Sequence, residues 1–378
     1  MALSKKRPTF LRFVLSILAG LLISALILIV VQQLYQSSTQ KSALIEPFFI
    51  LAAISAAVIS LFLLFPVNRP GAVIKGILRM FVLLVVVAVL WIGGGFYIAQ
   101  DEVMYMPDRV DEASELALAQ NPLVEEVVIP GGEGLHYQGY LLKSAPGEAG
   151  LILYFGGNGE LAATRVNALI TANFGELTRG YHFMFIDYPG YGRSDGAPGE
   201  ESIYQMALAA WDYALNREDA DPSRIVIAGW SLGTGTAARL AAEKDPAGLI
   251  LLAPFYNGTE LVSSAIVSIT GMESAGDIIQ RWPVNLLVRN RYTSAVYAGK
   301  TRVPTLVIGG KADQTIPYEQ AERLAQEYKN GSFVLLEGGH GAMWTEQASL
   351  QAIGLFLAMV GQQTPDAPPS LPEPAAPL

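Results

Sequence analysis

The hydrophobic and polar positions divide the chain at about residue 100. Before that point, uncharged apolar runs occupy about residues 13–31, 48–65 and 80–98. Each run approaches the ~20 residues that an α-helix needs to cross a hydrocarbon core of about 30 Å. None has the polar face that a helix at the surface of a soluble domain shows to water. We therefore predict that residues 1–100 form a membrane anchor with three transmembrane helices.

A cleaved signal peptide is the alternative interpretation of the first run. Its apolar length exceeds the 7–15 residues that are typical of a signal core. No small-x-small cleavage site follows closely. The first run is therefore predicted to stay in the protein as a transmembrane helix.

Charged residues beside the runs predict the orientation of the anchor. Basic residues precede the first run and separate the second from the third, whereas acidic residues follow the third. Because basic loops stay on the cytoplasmic side, we predict a cytoplasmic N-terminus and place everything after about residue 100 on the extracytoplasmic face. The residues are Lys5, Lys6, Arg7 and Arg12, then Arg69, Lys75 and Arg79, and after the third run Asp101, Glu102, Asp108, Asp111 and Glu112.

From about residue 122 short apolar runs alternate with amphipathic ones. This order is typical of a mostly parallel sheet with helices on both faces. The first two strands flank a Pro-Gly-Gly-Glu-Gly segment, which predicts a leading antiparallel hairpin. The predicted strands are 124–129, 136–142, 151–155, 183–187, 224–228, 249–253, 305–308 and 332–336, and the predicted helices are 161–174, 201–216, 232–244, 318–328 and 345–360.

The same pattern sets the expected domain limits. Residues 101–361 form one α/β domain, and residues 255–300, which lack strand periodicity, form a small cap within it. Residues 362–378 are rich in Pro and Ala, a composition typical of a disordered tail.

Composition excludes several classes of function. The net charge of −9 argues against a nucleic-acid partner, which requires a basic face. The absence of cysteine excludes disulfides, thiolate catalysis and thiolate metal sites. An ion channel or transporter is disfavoured because the apolar runs contain no charge that could line a path.

A nucleophile is predicted at Ser231, in the run Gly229-Trp230-Ser231-Leu232-Gly233. The Gly-x-Ser-x-Gly pattern is common by chance, so its setting decides its meaning. Here it follows the predicted strand 224–228 and opens the predicted helix 232–244, as a nucleophile elbow requires. Small residues on both sides allow the tight strand-to-helix turn that exposes the hydroxyl.

A serine nucleophile needs a base and an acid that orients the base. In this arrangement both follow the serine, the acid after a strand and the histidine last. His340 lies in a glycine-flanked loop after the last predicted strand, and Asp313 lies in the loop after strand 305–308. His136 and His182 precede Ser231 and are interpreted as structural.

Two other acids are weaker candidates for the orienting role. Asp277 and Glu260 lie between Ser231 and His340, but neither follows a clear strand end. Asp313 is therefore the predicted acid.

Acyl transfer also needs N–H donors for the tetrahedral oxyanion. The first is predicted at Leu232, directly after the nucleophile. The second is predicted in the loop Gly156-Gly157-Asn158-Gly159, at Asn158 or Gly157. A phosphate-binding loop is the alternative, but the Lys-Ser/Thr ending that such a loop needs is missing.

With these motifs in order, the chain resembles the α/β-hydrolase superfamily, in particular its membrane-anchored branch. That branch has Phe-His-Gly-Asn at the oxyanion loop and Asp-Tyr-x-Gly-Tyr-Gly-x-Ser-x-Gly before the elbow. The second motif is present here as Asp187 to Gly196, and the likeness spans about residues 103–360. Gly157 is taken to stand where the family usually has the loop histidine.

The resemblance implies hydrolysis of esters, thioesters or sometimes amides, with no metal and no organic cofactor. It also implies that Asp187 and Ser194 are structural and not catalytic. The sequence therefore predicts an acyl-enzyme on Ser231 and a small-molecule or lipid acyl substrate, the membrane anchor favouring a lipidic one. The alternatives are a catalytically idle hydrolase fold that serves as a membrane binding or scaffolding module, and an amide-cleaving peptidase variant.

Reporter fusions test the predicted orientation. Alkaline phosphatase joined at residue 105 is expected to be active and a fluorescent protein at the same position dark, because both would lie outside the cytoplasm. A fusion at residue 75, in the predicted cytoplasmic loop, should give the opposite pair of signals. Fluorescence from the fusion at residue 105 would contradict the orientation.

Overall fold

A computed structural model describes residues 51–52, 54–55, 58, 72–109, 112–144, 147–172, 178, 180–281 and 284–362. The chain divides into two compact units, Met1–Asp101 and Glu102–Leu378.

Helix α1 (Ala72–Met104) contains the third predicted membrane run. Its segment Phe81–Ile98 has the length and apolar composition needed to cross a membrane. Within the described ranges it is the one helix that meets both conditions. The run 13–31 lies outside the described residues, as does the run 48–65 except for five positions. The structure thus supports one candidate span and does not support a multi-pass topology, so the three-helix anchor stays a prediction.

The second unit is built on an eight-stranded sheet. The strands are β1 (Val124–Pro130), β2 (His136–Leu142), β3 (Ala149–Phe155), β4 (Tyr181–Ile186), β5 (Ala220–Trp230), β6 (Gly248–Leu252), β7 (Thr305–Gly310) and β8 (Gly331–Leu336). Their order in the sheet is β1-β2-β4-β3-β5-β6-β7-β8. Strand β2 is antiparallel to β1 and to β4, and the remaining pairs are parallel. The eight predicted strands and the leading hairpin are confirmed, with ends that differ by a few residues.

Helices cover both faces of this sheet, as the apolar character of its strands requires. In β3, Leu151 and Leu153 pack into the core on one face, whereas Ile152 and Tyr154 pack on the other. The helices are α2 (Glu112–Ala119), α3 (Ala162–Thr171), α4 (Glu200–Leu215), α5 (Gly233–Lys244), α6 (Gly258–Thr270), α7 (Glu273–Gln280), α8 (Ser294–Ala298), α9 (Tyr318–Glu327) and α10 (Gln347–Val360). The first core includes residues of α4, α5 and α9, and the second includes residues of α3 and α10.

The segment predicted as a cap is helical. It contains α6, α7, α8 and a 3-10 turn at Val284–Leu287, all between β6 and β7. The Glu200 carboxylate at the start of α4 accepts the Arg291 N–H at 2.5 Å and the Tyr292 N–H at 2.8 Å. Gln320 on α9 donates to Ser264 Oγ at 3.0 Å. These contacts fix the segment to the helices that flank the sheet.

The loop that follows β4 is held by its own polar side chains. Asp187 Oδ1 accepts the Ala162 N–H at the start of α3 at 2.7 Å. Ser194 Oγ donates to the Asp187 carbonyl at 2.8 Å and accepts the Gln138 N–H of β2 at 2.9 Å. The two residues tie the loop to β2 and α3, in keeping with the structural role that the resemblance implies.

Burial of the Asp187 carboxyl opposes its ionisation. Burial raises the pKa of Asp187 to about 7, even though the Ala162 N–H favours the charged form. In the unfolded chain the same group ionises near 3.8. Between pH 3.8 and about pH 7 the native state therefore holds a proton that the unfolded state has lost. As a result, the free energy of unfolding falls as the pH rises through this interval.

The variant Asp187→Asn is expected to remove this pH dependence. An amide keeps the acceptor for the Ala162 N–H and has no ionised form. Between pH 5 and pH 8 the wild type should lose about 1–3 kcal/mol of unfolding free energy relative to the variant. Chemical denaturation of the purified chain at both pH values measures this difference.

The control is Asp219→Asn. Arg217 holds the pKa of Asp219 below its ordinary value, so this carboxyl is ionised in both states throughout the pH range tested. Its replacement should lower stability equally at pH 5 and pH 8. An Asp187→Asn variant whose stability relative to the wild type is the same at both pH values would contradict the account.

Candidate active site

Ser231 occupies a strained turn between β5 and α5. Its φ of 51° lies in the left-handed region, which is rare for a residue with a side chain. The Ser231 N–H donates to the Leu252 carbonyl of β6 at 2.9 Å, and its own carbonyl accepts the Thr234 N–H at 3.0 Å. Backbone bonds on both sides therefore hold the conformation that a nucleophile elbow requires.

The two flanking glycines are required by close approach of backbones. A Cβ on Gly233 would lie 2.1 Å from the Phe155 carbonyl oxygen and 2.6 Å from that of Gly156. A Cβ on Gly229 would lie 2.6 Å from the Gly233 carbonyl oxygen. The Gly-x-Ser-x-Gly spacing thus lets the elbow pack directly against the loop that follows β3.

His340 lies between Ser231 and Asp313. Its Nε2 is 3.0 Å from Ser231 Oγ, and its Nδ1 is 2.7 Å from Asp313 Oδ2. Both distances are within hydrogen-bond range. The three residues predicted as a triad are therefore in contact, although they come from three separate loops.

Asp313 is almost completely buried, and backbone N–H groups hold its carboxylate in place. Its Oδ1 accepts the Thr315 N–H at 2.8 Å and the Ile316 N–H at 2.9 Å. Its side chain is 1% exposed, compared with 21% for His340. Because the carboxylate can only accept, it places the imidazole proton on Nδ1 and leaves the Nε2 lone pair towards Ser231.

The weaker acid candidates lie elsewhere. Glu260, on α6, forms an ion pair with Arg323 at 3.0 Å. Asp277 is exposed on α7. The contact with His340 is made by Asp313.

The other two histidines have separate settings. His182 is buried in β4, where its Nδ1 accepts the Ser144 N–H at 3.2 Å, and burial lowers its pKa. His136 lies 3.5 Å from Asp195 and is exposed to solvent. Both settings agree with the structural interpretation. Among the residues that the structure describes, no group of three or more His, Asp or Glu side chains is arranged to hold a metal ion.

The loop after β3 contains the predicted second oxyanion donor. The Gly157 N–H donates to Glu160 Oε2 at 2.8 Å. This contact favours Asn158 over Gly157 as the residue whose N–H faces a substrate. Leu232 lies directly before α5, where N–H groups have no acceptor within the helix. The donor roles of Leu232 and Asn158 remain predictions.

The likeness in this loop needs one correction. Aligned residue by residue, Phe-His-Gly-Asn matches Phe155-Gly156-Gly157-Asn158, so Gly156 and not Gly157 stands at the histidine position. A Cβ at Gly156 would lie 2.4 Å from the Phe185 ring and 2.8 Å from Glu160 Oε2. The space that a side chain would need is filled by these two residues.

An aromatic and charged cluster beside the triad was not predicted. The Arg165 guanidinium lies 4.2 Å from the Trp344 ring and 5.4 Å from the Trp230 ring, and it pairs with Glu160. Trp230 Nε1 donates to the His340 carbonyl at 3.3 Å. The cluster joins the turn at Ser231, the loop that contains His340 and the loop that follows β3. The tryptophan next to Ser231 was its one visible signal in the sequence.

Two family models match parts of the chain. The first, described as serine aminopeptidase, S33, matches residues 170–301, and the second, described as TAP-like protein, matches residues 279–366. The uncharacterized protein Rv2307c of Mycobacterium tuberculosis is 28% identical over 274 residues, which cover 70% of this chain and 90% of that protein. The uncharacterized protein YfhR of Escherichia coli K12 is 25% identical over 274 residues, covering 67% and 84%.

Solved structures with a similar fold include known hydrolases. The esterase Pf2001 of Pyrococcus furiosus superposes with a TM-score of 0.53 at 16% identity, covering 68% of this chain and 97% of the esterase. An alpha-beta hydrolase from Vibrio vulnificus gives 0.51 at 22% identity, covering 72% and 91%. The chain has the α/β-hydrolase fold, and the comparisons together support a hydrolase of that superfamily.

Proposed function

We propose that the chain is a membrane-anchored serine hydrolase that cleaves carboxylic ester or thioester bonds through an acyl-enzyme on Ser231. The proposal rests on one observation, the continuous contact from Ser231 Oγ through His340 to Asp313. This arrangement activates a hydroxyl that is otherwise a weak nucleophile.

In the first half-reaction Ser231 Oγ attacks the carbonyl carbon of the substrate. Its proton passes to His340 Nε2, and Asp313 stabilises the imidazolium that forms. The tetrahedral oxyanion accepts hydrogen bonds from the N–H groups of Leu232 and Asn158. When the intermediate collapses, the leaving alcohol or thiol takes the proton from His340, and the acyl group stays on Ser231.

In the second half-reaction water takes the place of the leaving group. His340 accepts a proton from the water as the water oxygen attacks the acyl carbon. The second tetrahedral intermediate releases the carboxylic acid, and the proton returns to Ser231 Oγ. The histidine acts first as a base and then as an acid in each half, so the site is restored without a cofactor.

A lipidic substrate is part of the proposal. The segment Phe81–Ile98 of helix α1 has the length and apolar composition of a membrane span, and the helix continues to Met104, within the second unit. An enzyme held beside a bilayer meets acyl chains at high local concentration. We place the hydrolase unit on the extracytoplasmic face, on the basis of the charges that flank the apolar runs.

Amide hydrolysis is the second candidate function. It is favoured by the family model described as serine aminopeptidase, which matches residues 170–301. The triad supports attack on either bond, and the leaving group decides between them. A catalytically idle scaffold is the third possibility, and the assembled contact between Ser231, His340 and Asp313 argues against it.

Replacing the proposed nucleophile tests the enzymatic function. Ser231→Ala is expected to lower kcat for a p-nitrophenyl acyl ester by about 10⁴-fold or more, because no other group can form the acyl-enzyme. Ser223→Ala is the matched control and should leave kcat unchanged, since this serine is exposed and its hydroxyl donates to the neighbouring Asp221 side chain. Undiminished hydrolysis by Ser231→Ala would contradict the proposal.

A substrate series tests the acyl and leaving groups. The purified full-length chain is expected to have a higher kcat/KM for esters and thioesters of long acyl chains than for acetyl esters. It should hydrolyse aminoacyl p-nitroanilides more slowly than it hydrolyses esters or thioesters. A preference for short water-soluble esters would contradict the proposed lipidic substrate. Cleavage of the anilides faster than that of the esters would favour the peptidase function.

A further inference from the structure

The short segment after α1 enters the core of the hydrolase unit. Tyr105 is 1% exposed and packs with Tyr188 and Tyr191 in the larger hydrophobic core. The side chain of Met106 is exposed, but its backbone N–H faces inward to polar partners. The segment is therefore a packed part of the domain and not a loose connection.

The partner of this segment is the proposed oxyanion loop. Asn158 Oδ1 accepts the Met106 N–H at 2.8 Å and the Tyr191 hydroxyl at 2.9 Å. The Met106 N–H also lies 2.9 Å from the Tyr191 oxygen. Tyr191 is fully buried, and burial raises its pKa to about 12, so its hydroxyl remains protonated and able to donate.

Tyr105 extends the contact to the other side of the site. Its hydroxyl lies 3.1 Å from Asn290 Oδ1 and 2.8 Å from the Tyr292 hydroxyl. Tyr292 in turn packs so close to Gly235 that a Cβ there would lie 2.4 Å from its ring. Gly235 belongs to α5, the helix that follows the nucleophile. The segment thus contacts the loop after β3 directly and is linked to the helix after the nucleophile through Tyr292.

We infer that Tyr191 and the backbone of Met106 are positioning groups for the proposed reaction, and that they act through the side-chain amide of Asn158. The inference rests on the proposed function, because it concerns the N–H of Asn158 as an oxyanion donor. Holding Oδ1 at two points fixes the Asn158 side chain, and with it the orientation of the peptide that carries the N–H.

The chemistry of Asn158 fits this role. An amide oxygen accepts two hydrogen bonds without bringing a negative charge beside a developing oxyanion, which an aspartate would do. On the other side of the loop, Glu160 accepts the Gly157 N–H. The loop is therefore held at the successive residues Gly157 and Asn158. This matters because a displacement of about 1 Å in a catalytic site can lower the reaction rate by about 100-fold.

The test compares variants of the full-length chain. Tyr191→Phe removes the hydroxyl and keeps the buried ring. We expect kcat to fall about 10-fold or more with KM changed less than about 2-fold, because an oxyanion donor acts in the transition state. Affinity for an alkyl trifluoromethyl ketone, which forms a tetrahedral oxyanion adduct on serine, should fall by the same factor as kcat/KM.

The control is Tyr181→Phe. It removes another buried tyrosine hydroxyl, which donates to the Leu357 carbonyl at 3.2 Å far from the loop. It should leave kcat and the affinity for the ketone within about 2-fold of the wild type. A pair of substitutions at residue 106 tests the backbone donor: Met106→Pro removes the N–H and should lower kcat, whereas Met106→Leu keeps it and should not.

A double variant tests whether Tyr191 acts through Asn158. Asn158→Ala removes the acceptor and keeps the backbone N–H, and the further change Tyr191→Phe should then lower kcat by less than about 2-fold. Fully multiplied effects would overturn the inference. So would a Tyr191→Phe variant with lowered thermal stability but unchanged kcat and ketone affinity. Either result would leave the proposed function intact. The proposed function fails in a separate experiment, if Ser231→Ala remains active.

Discussion

The close approach of two backbones organises the active site. The turn at Ser231 packs on the loop after β3 with no space for a side chain at Gly233. Backbone hydrogen bonds on both sides of this turn hold Ser231 at a φ of 51°. The close approach at Gly233 also places the loop that contains the second proposed oxyanion donor against this turn. A substitution that separated the backbones would disturb the nucleophile and both donors at once.

The charged groups are arranged around that turn so that each has a defined partner. Asp313 is almost fully buried, yet two backbone N–H groups and His340 satisfy its oxygens. Glu160 is likewise buried, and its carboxylate is neutralised by Arg165 while it accepts the Gly157 N–H. Burial of a carboxylate is tolerated where such partners exist. Asp187, which lacks an ion pair among these contacts, instead takes up a proton near neutral pH.

The sequence predicted those parts of the structure that local pattern determines. Short apolar runs mark the eight strands, and the order of Ser231, Asp313 and His340 follows from where nucleophile, acid and base lie in this fold. Helix α2 was missed because its eight residues have little amphipathic pattern. The contacts of Asn158 with Met106 and Tyr191 join residues 52 and 33 positions apart. The Arg165 cluster likewise joins residues from separate parts of the chain, which no local signal reveals. Gly156 stands at the histidine position of the family motif, which is evident only when the motif is aligned residue by residue.

Covalent trapping is the most direct measurement of the central claim that Ser231 is the nucleophile. A fluorophosphonate probe forms an adduct with an activated serine, and tryptic digestion places Ser231 in the peptide Ile225–Arg239, in which it is the single serine. The account predicts one adduct, located on that peptide, which is lost in Ser231→Ala together with ester hydrolysis. An adduct on another serine, or hydrolysis that continues with no adduct on this peptide, would contradict it.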